Sequence, residues 1–250
     1  MKFKKLRVAL IGILAVIFAV SAFHIVKITQ DYKKADQANA ALQDRFVQEI
    51  EPTTESTAEP TVEEVKITVP IRIDFDGLKQ ENSDVVGWIY CPDTPINYPV
   101  VQGKDNNQYL RADLKGKYLK SGTLFADYRN GEFGKDANYI VYGHNMKNGT
   151  MFGTLVKYKE QAYYDAHPIL YFLTPEGDYI IELCAGAVIK RNSALYQPVP
   201  NRATIQEIIA TSTFEATAEL CEDESIITLS TCSYEFNNAR YVLIGKLKKV

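Results

Sequence analysis

The sequence predicts a mainly β domain behind an N-terminal membrane helix. The domain reads as a closed or nearly closed barrel of about eight strands with short helices inserted. Three observations predict this. Strand-like runs recur from residue 85 to the C-terminus, separated by turns rich in Gly, Pro and Asp. The aromatic content is 16 Tyr and 11 Phe against one Trp, a balance that suits strands. Residues 8–26 read VALIGILAVIFAVSAFHIV, with no Asp, Glu, Lys or Arg, about the length that crosses a ~30 Å hydrocarbon core as a helix.

At 250 residues and 46% apolar content, the chain can bury one sizeable core. A net charge of −3 carries no basic footprint for nucleic acid. Cys91, Cys184, Cys221 and Cys232 are too few for a disulfide scaffold at this length. In an exported domain they still permit one or two bridges.

Residues 1–7 carry Lys2, Lys4, Lys5 and Arg7 and no acid, which marks a cytoplasmic tail. Everything after the anchor at 8–26 is then extracellular. A cleaved signal peptide is the rival, since Val20 and Ala22 satisfy a small-residue cleavage rule. Both readings export the rest. Residues 27–65 form a stalk and linker. The first half, 27–50, favours helix, with Ile28, Tyr32, Ala35, Leu42 and Phe46 near a 3–4 spacing. The second half, EPTTESTAEPTVEE at 51–64, has almost nothing to bury and reads as an acidic, disordered spacer.

The folded domain spans 66–250. It opens with a helix at 74–82 and a strand at 85–90, then a turn, then an extended run at 96–102 in which Pro99 argues for an edge or bulge. Residues 105–114 form a loop with a helical turn. Strands at 122–128 and 138–144 flank a polar connection. Phe152, Leu155 and Val156 share one face of a helix at 151–158. A hairpin joins 169–173 to 179–185 through Thr-Pro-Glu-Gly-Asp. A helix follows at 204–210, extending through 214–220. The final strands are 226–232 and the run beginning at Arg240.

The last two strands carry the chemistry. Joined as an antiparallel pair, they set Cys232 beside Arg240 at a sheet rim. A thiol beside a permanent cation is a candidate nucleophile, because the cation favours the thiolate and can hold an oxyanion. Alternation puts Thr228 and Ser230 on the Cys232 face, which suits a cleft lining. Otherwise Cys232 is a small buried hydrophobe. The base has few candidates. His24 lies in the membrane segment, and His167 stands before a proline in a turn. His144 ends an apolar strand after Gly143, whose lack of a side chain permits an unusual backbone or a close approach. It is either a catalytic base on a rigid edge or a strand-end histidine bonded to a loop carbonyl. Arg129 reads as a structural ion-pair residue, Cys184 as a buried thiol, and Cys91 and Cys221 as turn cysteines. Paired Cys spacing is absent, and metal binding fits badly.

His144, Cys232 and Arg240, in that order on an exported and anchored β domain, resemble the sortases, the transpeptidases of the Gram-positive cell surface. The family hallmark stands here as Thr228-Leu229-Ser230-Thr231-Cys232, followed by Arg240 at the next strand's start. Within the family the chain is most similar to class B, through Tyr98-Pro-Val-Val-Gln-Gly103, Phe125-Ala-Asp-Tyr-Arg-Asn130, Gly143-His-Asn-Met146 and the helical segment before the cysteine strand. The resemblance implies an eight-stranded sortase-type barrel over roughly residues 74–250. It implies that Cys232 attacks the threonine carbonyl of a C-terminal sorting motif on a secreted protein. A peptidoglycan amine then resolves the thioacyl enzyme. His144 is the implied general acid and base, Arg240 holds the oxyanion or substrate backbone, and Ser230 and Thr231 touch substrate. No metal or other cofactor is implied. The loops at 105–114 and 192–202 are expected to choose the substrate. Wall anchoring and pilin polymerisation both fit the class. A peptidoglycan cysteine hydrolase and a non-catalytic surface-binding module are the readings outside it.

Overall fold

The computed structural model describes residues 2–50, 68–221 and 223–250. The predicted acidic spacer lies outside the described residues. The first element, α1 (Lys2–Phe46), is one continuous helix. Its early part exposes Leu10, Ile11, Ile13, Leu14, Ile17 and Phe18, apolar side chains with no protein partner. It is long and apolar enough to cross a membrane.

The later part of α1 lies on the barrel rather than standing free as a stalk. Asp31 pairs with Lys120 at 3.6 Å. Asn148 donates to Asp36, and Gln43 donates to the Asn97 carbonyl at 2.7 Å. Ala35 and Phe46 are buried. Of the residues at 3–4 spacing, Tyr32, Ala35, Leu42 and Phe46 meet the protein, while Ile28 stays exposed. From Val26 to Asp31 the helix rises only about 8 Å. The domain therefore begins close to the end of the apolar span.

Two short strands, β1 (Val47–Glu49) and β2 (Ile71–Ile73), pair antiparallel next to α2 (Phe75–Glu81). Asp74 caps α2 by accepting from the Gly77 N–H at 2.9 Å, which satisfies one orphan donor. Eight further strands close a barrel: β3 (Val85–Tyr90), β4 (Asn97–Val101), β5 (Leu124–Ala126), β6 (Asn138–Tyr142), β7 (Ile169–Thr174), β8 (Gly177–Lys190), β9 (Ile226–Cys232) and β10 (Ala239–Lys249). Their order is β10-β8-β7-β3-β4-β5-β6-β9. The β4–β5 and β6–β9 pairs are parallel and the others antiparallel. Beside Pro99, the β3–β4 register slips between Val85 and Gly87, the irregularity its missing N–H suggested.

Alternate residues fill the barrel, among them Ile89, Leu124, Val141, Phe172, Leu183, Leu229 and Leu243. The outer face of β6, β8, β9 and β10 is also covered. There Ile140, Ala187, Ile226 and Val242 pack against Leu195, Tyr196, Ile205 and Ile208 of the long β8–β9 crossover. Ile205 and Ile208 sit on α4 (Arg202–Ala210), and each contributes about 2 kcal/mol by burial.

Four expectations change. The helix expected at 151–158 is a 3-10 segment, Gly153–Lys159, and is followed by an unforeseen α3 (Gln161–Ala166). β8 runs on to Lys190, beyond the predicted 179–185. α4 does not extend through 214–220. Thr211 bonds back to the Glu207 carbonyl and Ser212 to the Phe214 carbonyl, so their hydroxyls end the helix. Cys91, read as a turn cysteine, is fully buried in the core, and all four cysteines are free thiols.

Candidate active site

Three neighbouring strands end at one rim. Across the antiparallel β9–β10 ladder, Cys232 is the direct partner of Arg240. Across the parallel β6–β9 ladder, Tyr142 is level with Ser230. The pairing continues past the end of β6. Gly143 N–H donates to the Ser230 carbonyl at 3.1 Å, and the Thr231 hydroxyl donates to the Gly143 carbonyl at 2.9 Å. Then the Asn145 side-chain amide donates to the Cys232 carbonyl at 2.8 Å. His144 is thereby brought level with Cys232. It lines one cavity of about 460 Å³ together with Cys232 and Arg240.

Gly143 makes this possible. A Cβ there would lie 2.4 Å from Leu124 Cδ2 and 2.7 Å from Phe152. Its φ is not positive, so close approach is the reason for the glycine, not an unusual backbone.

His144 Nε2 lies 2.7 Å from the Leu110 carbonyl. A carbonyl only accepts, so Nε2 carries the hydrogen and a neutral ring keeps its lone pair on Nδ1. Burial lowers the His144 pKa below its ordinary value and Arg111 adds to this, while the Leu110 bond pushes the other way. The two sequence readings of His144 are therefore compatible, since a histidine tied to a loop carbonyl also points a free nitrogen elsewhere. Gly122 packs closely against that carbonyl. Gly122 has φ +60°, and a Cβ there would sit 2.5 Å from the same Leu110 oxygen.

The cavity floor is built on a buried carboxylate. Asp127 accepts from Arg129 Nε at 2.8 Å, Asn106 at 3.0 Å and the Tyr142 hydroxyl at 2.9 Å. Burial raises its pKa, but the bonds from Arg129, Asn106 and Tyr142 outweigh this and bring it down to about 2. Asp127 so ties the 105–114 loop, through Asn106, to the strands below. Tyr196 packs against Tyr142 and shares a 2.8 Å hydrogen bond with Ser230.

The loop between β9 and β10 is pinned as well. The Glu235 carboxylate takes Lys159 as its ion partner and accepts from the Ser233 hydroxyl. Cys232 is the part-exposed thiol at this rim. Cys91 and Cys184 are buried, and burial pushes both thiols up.

The structure thus brings His144, Cys232, Arg240, Ser230 and Thr231 to one cavity. Ser230 and Thr231 use their hydroxyls on Tyr196 and Gly143 and are almost fully buried. Arg129 is the ion-pair residue its sequence suggested. His167 caps α3 instead. Asn106, Asn107, Leu110 and Tyr196 line the cavity from the two loops expected to choose substrate. Asn145 and Asp127 were visible only as members of quoted motifs, with no role attached. Arg191 had no signal beyond its type. Among the described residues no group of three His, Cys, Asp or Glu could hold a metal ion.

Comparison with known proteins agrees with this arrangement. The sortase domain family matches residues 89–248. The chain belongs to the sortase family. It is 34% identical to sortase B of Listeria monocytogenes over 71% of this chain and 75% of that one. It is 32% identical to sortase B of Staphylococcus aureus, over 72% and 77% respectively. Among solved structures, a Bacillus anthracis sortase B in complex with AAEK1 superimposes at TM-score 0.70 and 29% identity, covering 89% of this chain and all of that one. A Staphylococcus aureus sortase B–substrate complex superimposes at TM-score 0.66 and 31% identity, over 70% and 85%. This sortase is therefore a class B member and a cysteine transpeptidase, built on the closed eight-stranded barrel of its relatives.

Proposed function

We propose that this sortase stands in the cell membrane on α1, with its N-terminus in the cytoplasm and its barrel outside. It cleaves a C-terminal sorting motif of secreted proteins after threonine, and joins the threonine to an amine of peptidoglycan or its precursor. The basic residues before the apolar run support that orientation. The observation that carries the chemistry is the register of three strands. Cys232 stands opposite Arg240, and His144 stands level with it from the parallel side, all on one cavity.

The reaction follows from those groups. The Cys232 thiol passes its proton to the free Nδ1 of neutral His144 and, as thiolate, adds to the threonine carbonyl carbon, while Arg240 balances the charge on the oxyanion. The C–N bond breaks as His144 gives its proton to the departing amine. The tail leaves, and the threonine remains as a thioester. An incoming amine gives a proton to the neutral imidazole and attacks the thioester. The C–S bond breaks and the thiolate returns. The Nε2–H bond to Leu110 leaves Nδ1 as the nitrogen that exchanges protons. Ser230 and Thr231 shape the wall beside the nucleophile through their bonds to Tyr196 and Gly143.

The test is to incubate the full-length chain, in detergent, with sorting-motif peptides and to read Cys232 by mass spectrometry. The expected result is an acyl adduct on Cys232 that an added amine removes. It is lost in Cys232→Ala and kept in Cys184→Ala. Tails released without any adduct on Cys232 would overturn the mechanism.

A further inference from the structure

The cavity carries three arginines and no acid. Arg129, Arg191 and Arg240 line it, and no Asp or Glu does. Arg129 is neutralised from beneath by Asp127. Arg240 bonds only its neighbour's carbonyl, at Ala239. The Arg191 side chain is exposed and makes no hydrogen bond or ion pair among the described residues. Its backbone N–H alone is used, on the Asn238 carbonyl. On a chain of net charge −3, this is a cleft with two uncompensated guanidinium groups. The proposed oxyanion role occupies Arg240. Nothing in that role uses Arg191.

Its position follows from the ladder. Arg240 pairs with Cys232 on one side and with Ile189 on the other. Arg191 follows directly on Lys190, the last residue of β8, and lines the same cavity as Arg240 and Cys232. Two strand spacings across and two residues along the chain separate it from the nucleophile, about 12 Å. That is about three residues of an extended peptide. It stands where β8 runs into the crossover loop whose Tyr196 forms another wall. A guanidinium held there, exposed and without a partner, matches a carboxylate in geometry and charge.

We propose that Arg191 is a specificity-determining residue that binds an acidic side chain of the sorting peptide, within about three residues of the acylated threonine. The inference rests on the function proposed above, and it adds a charge preference to it.

The experiment uses the full-length chain in detergent and a peptide library with one fixed threonine and randomised flanks on both sides. Acyl adducts on Cys232 are sequenced with no amine acceptor present, so only the first half-reaction is read. Enrichment of Asp or Glu at one flanking position is expected. Paired peptides with Asp or Asn at that position then separate charge from shape. Arg191→Ala should lower kcat/KM for the Asp peptide by about fivefold or more and leave the Asn peptide nearly unchanged. Arg191→Glu should turn the preference toward Lys. Added salt should shrink the wild-type preference. Adducts with no acid enrichment, or equal loss on both peptides, would overturn the inference while leaving the proposed function standing. A charge effect confined to the amine-dependent step would also overturn it. If no peptide acylates Cys232 at all, the proposed function itself fails.

Discussion

The side chain of Asn145 holds the main chain of Cys232: its amide donates to the Cys232 carbonyl across 2.8 Å. The residue after His144 is thus bonded to the proposed nucleophile's own peptide. Base and thiol sit on strands that meet only in parallel, and this bond fixes their relative position beyond the last ladder pair. Asn145→Ala should cost about 1 kcal/mol of stability, the usual worth of one hydrogen bond. Its cost in turnover should be larger, about tenfold to a hundredfold in kcat, because misplacing reacting groups by an ångström is that expensive. Asn145→Asp keeps the shape but loses the donor, and should be as slow as the alanine variant. Steady-state kinetics and a thermal melt check this. A full kcat in either variant would refute the role.

Gly122 tests the carbonyl that holds His144. Alanine at 122 meets two penalties, a left-handed φ of +60° and a collision with the Leu110 and Tyr109 carbonyl oxygens. Gly116 is the matched control. Its φ is +73°, and a Cβ there meets nothing within 4 Å. Gly116→Ala should cost about 1–2 kcal/mol and leave activity intact. Gly122→Ala should cost more and should release the His144 Nε2 bond. Nitrogen chemical shifts of the ring report that bond directly. Equal behaviour of the two variants in both melt and shift would show that the Leu110 carbonyl needs no such support.

What the sequence revealed of the site was set by distance along the chain. Cys232 and Arg240 are eight residues apart, and a short loop between strands leaves few registers to choose from. His144 could be named for its strand end and glycine, but its partner strand lies 88 residues on. Parallel closure of β6 on β9 is a tertiary event with no local signature. Asn145 and Asp127 act through side-chain bonds to distant groups, and such bonds leave no periodicity. The barrel itself was legible because strand-like runs recur between turn residues. Two-sided burial of β9 was not. Its polar face reads as a cleft lining, yet Thr228 gives its hydroxyl to Asn138 and Ile226 packs beneath the crossover. The apolar face of the later α1 was readable at 3–4 spacing, while the barrel surface that receives it was not.

Asp127 makes a stability prediction with a defined pH window. Its pKa is about 2 in the folded protein, against about 3.9 unfolded. A depressed carboxylate stabilises above its unfolded pKa, and that stability is lost as pH falls through the folded value. Asp127→Asn should therefore lose about 2 kcal/mol near neutral pH. The gap from wild type should close as pH falls from 4 toward about 2. Denaturant melts across that range read it. A gap that stays constant with pH would assign the loss to shape instead of charge.

His144 titrates with the opposite consequence for its proton. Its pKa lies below the ordinary histidine value of about 6.5, mainly because burial disfavours the cation. Between the folded and unfolded values the unfolded chain binds the extra proton. Stability contributed by neutral His144 is then present above the unfolded pKa and is lost as pH falls below it. The ring is neutral at pH 7 and protonates only in acid, which suits the proposed role as base. Arg111 adds to the shift by like-charge repulsion. Arg111→Ala should move the midpoint back toward about 6.5, by less than burial moved it away. A proton NMR titration of the full-length chain, with His144→Gln identifying the resonance, gives both midpoints. A wild-type midpoint at or above about 6.5 would mean that the Leu110 bond, which favours the charged ring, outweighs burial. A midpoint above about 7 would leave the ring mostly protonated at neutral pH, against the proposed role as base.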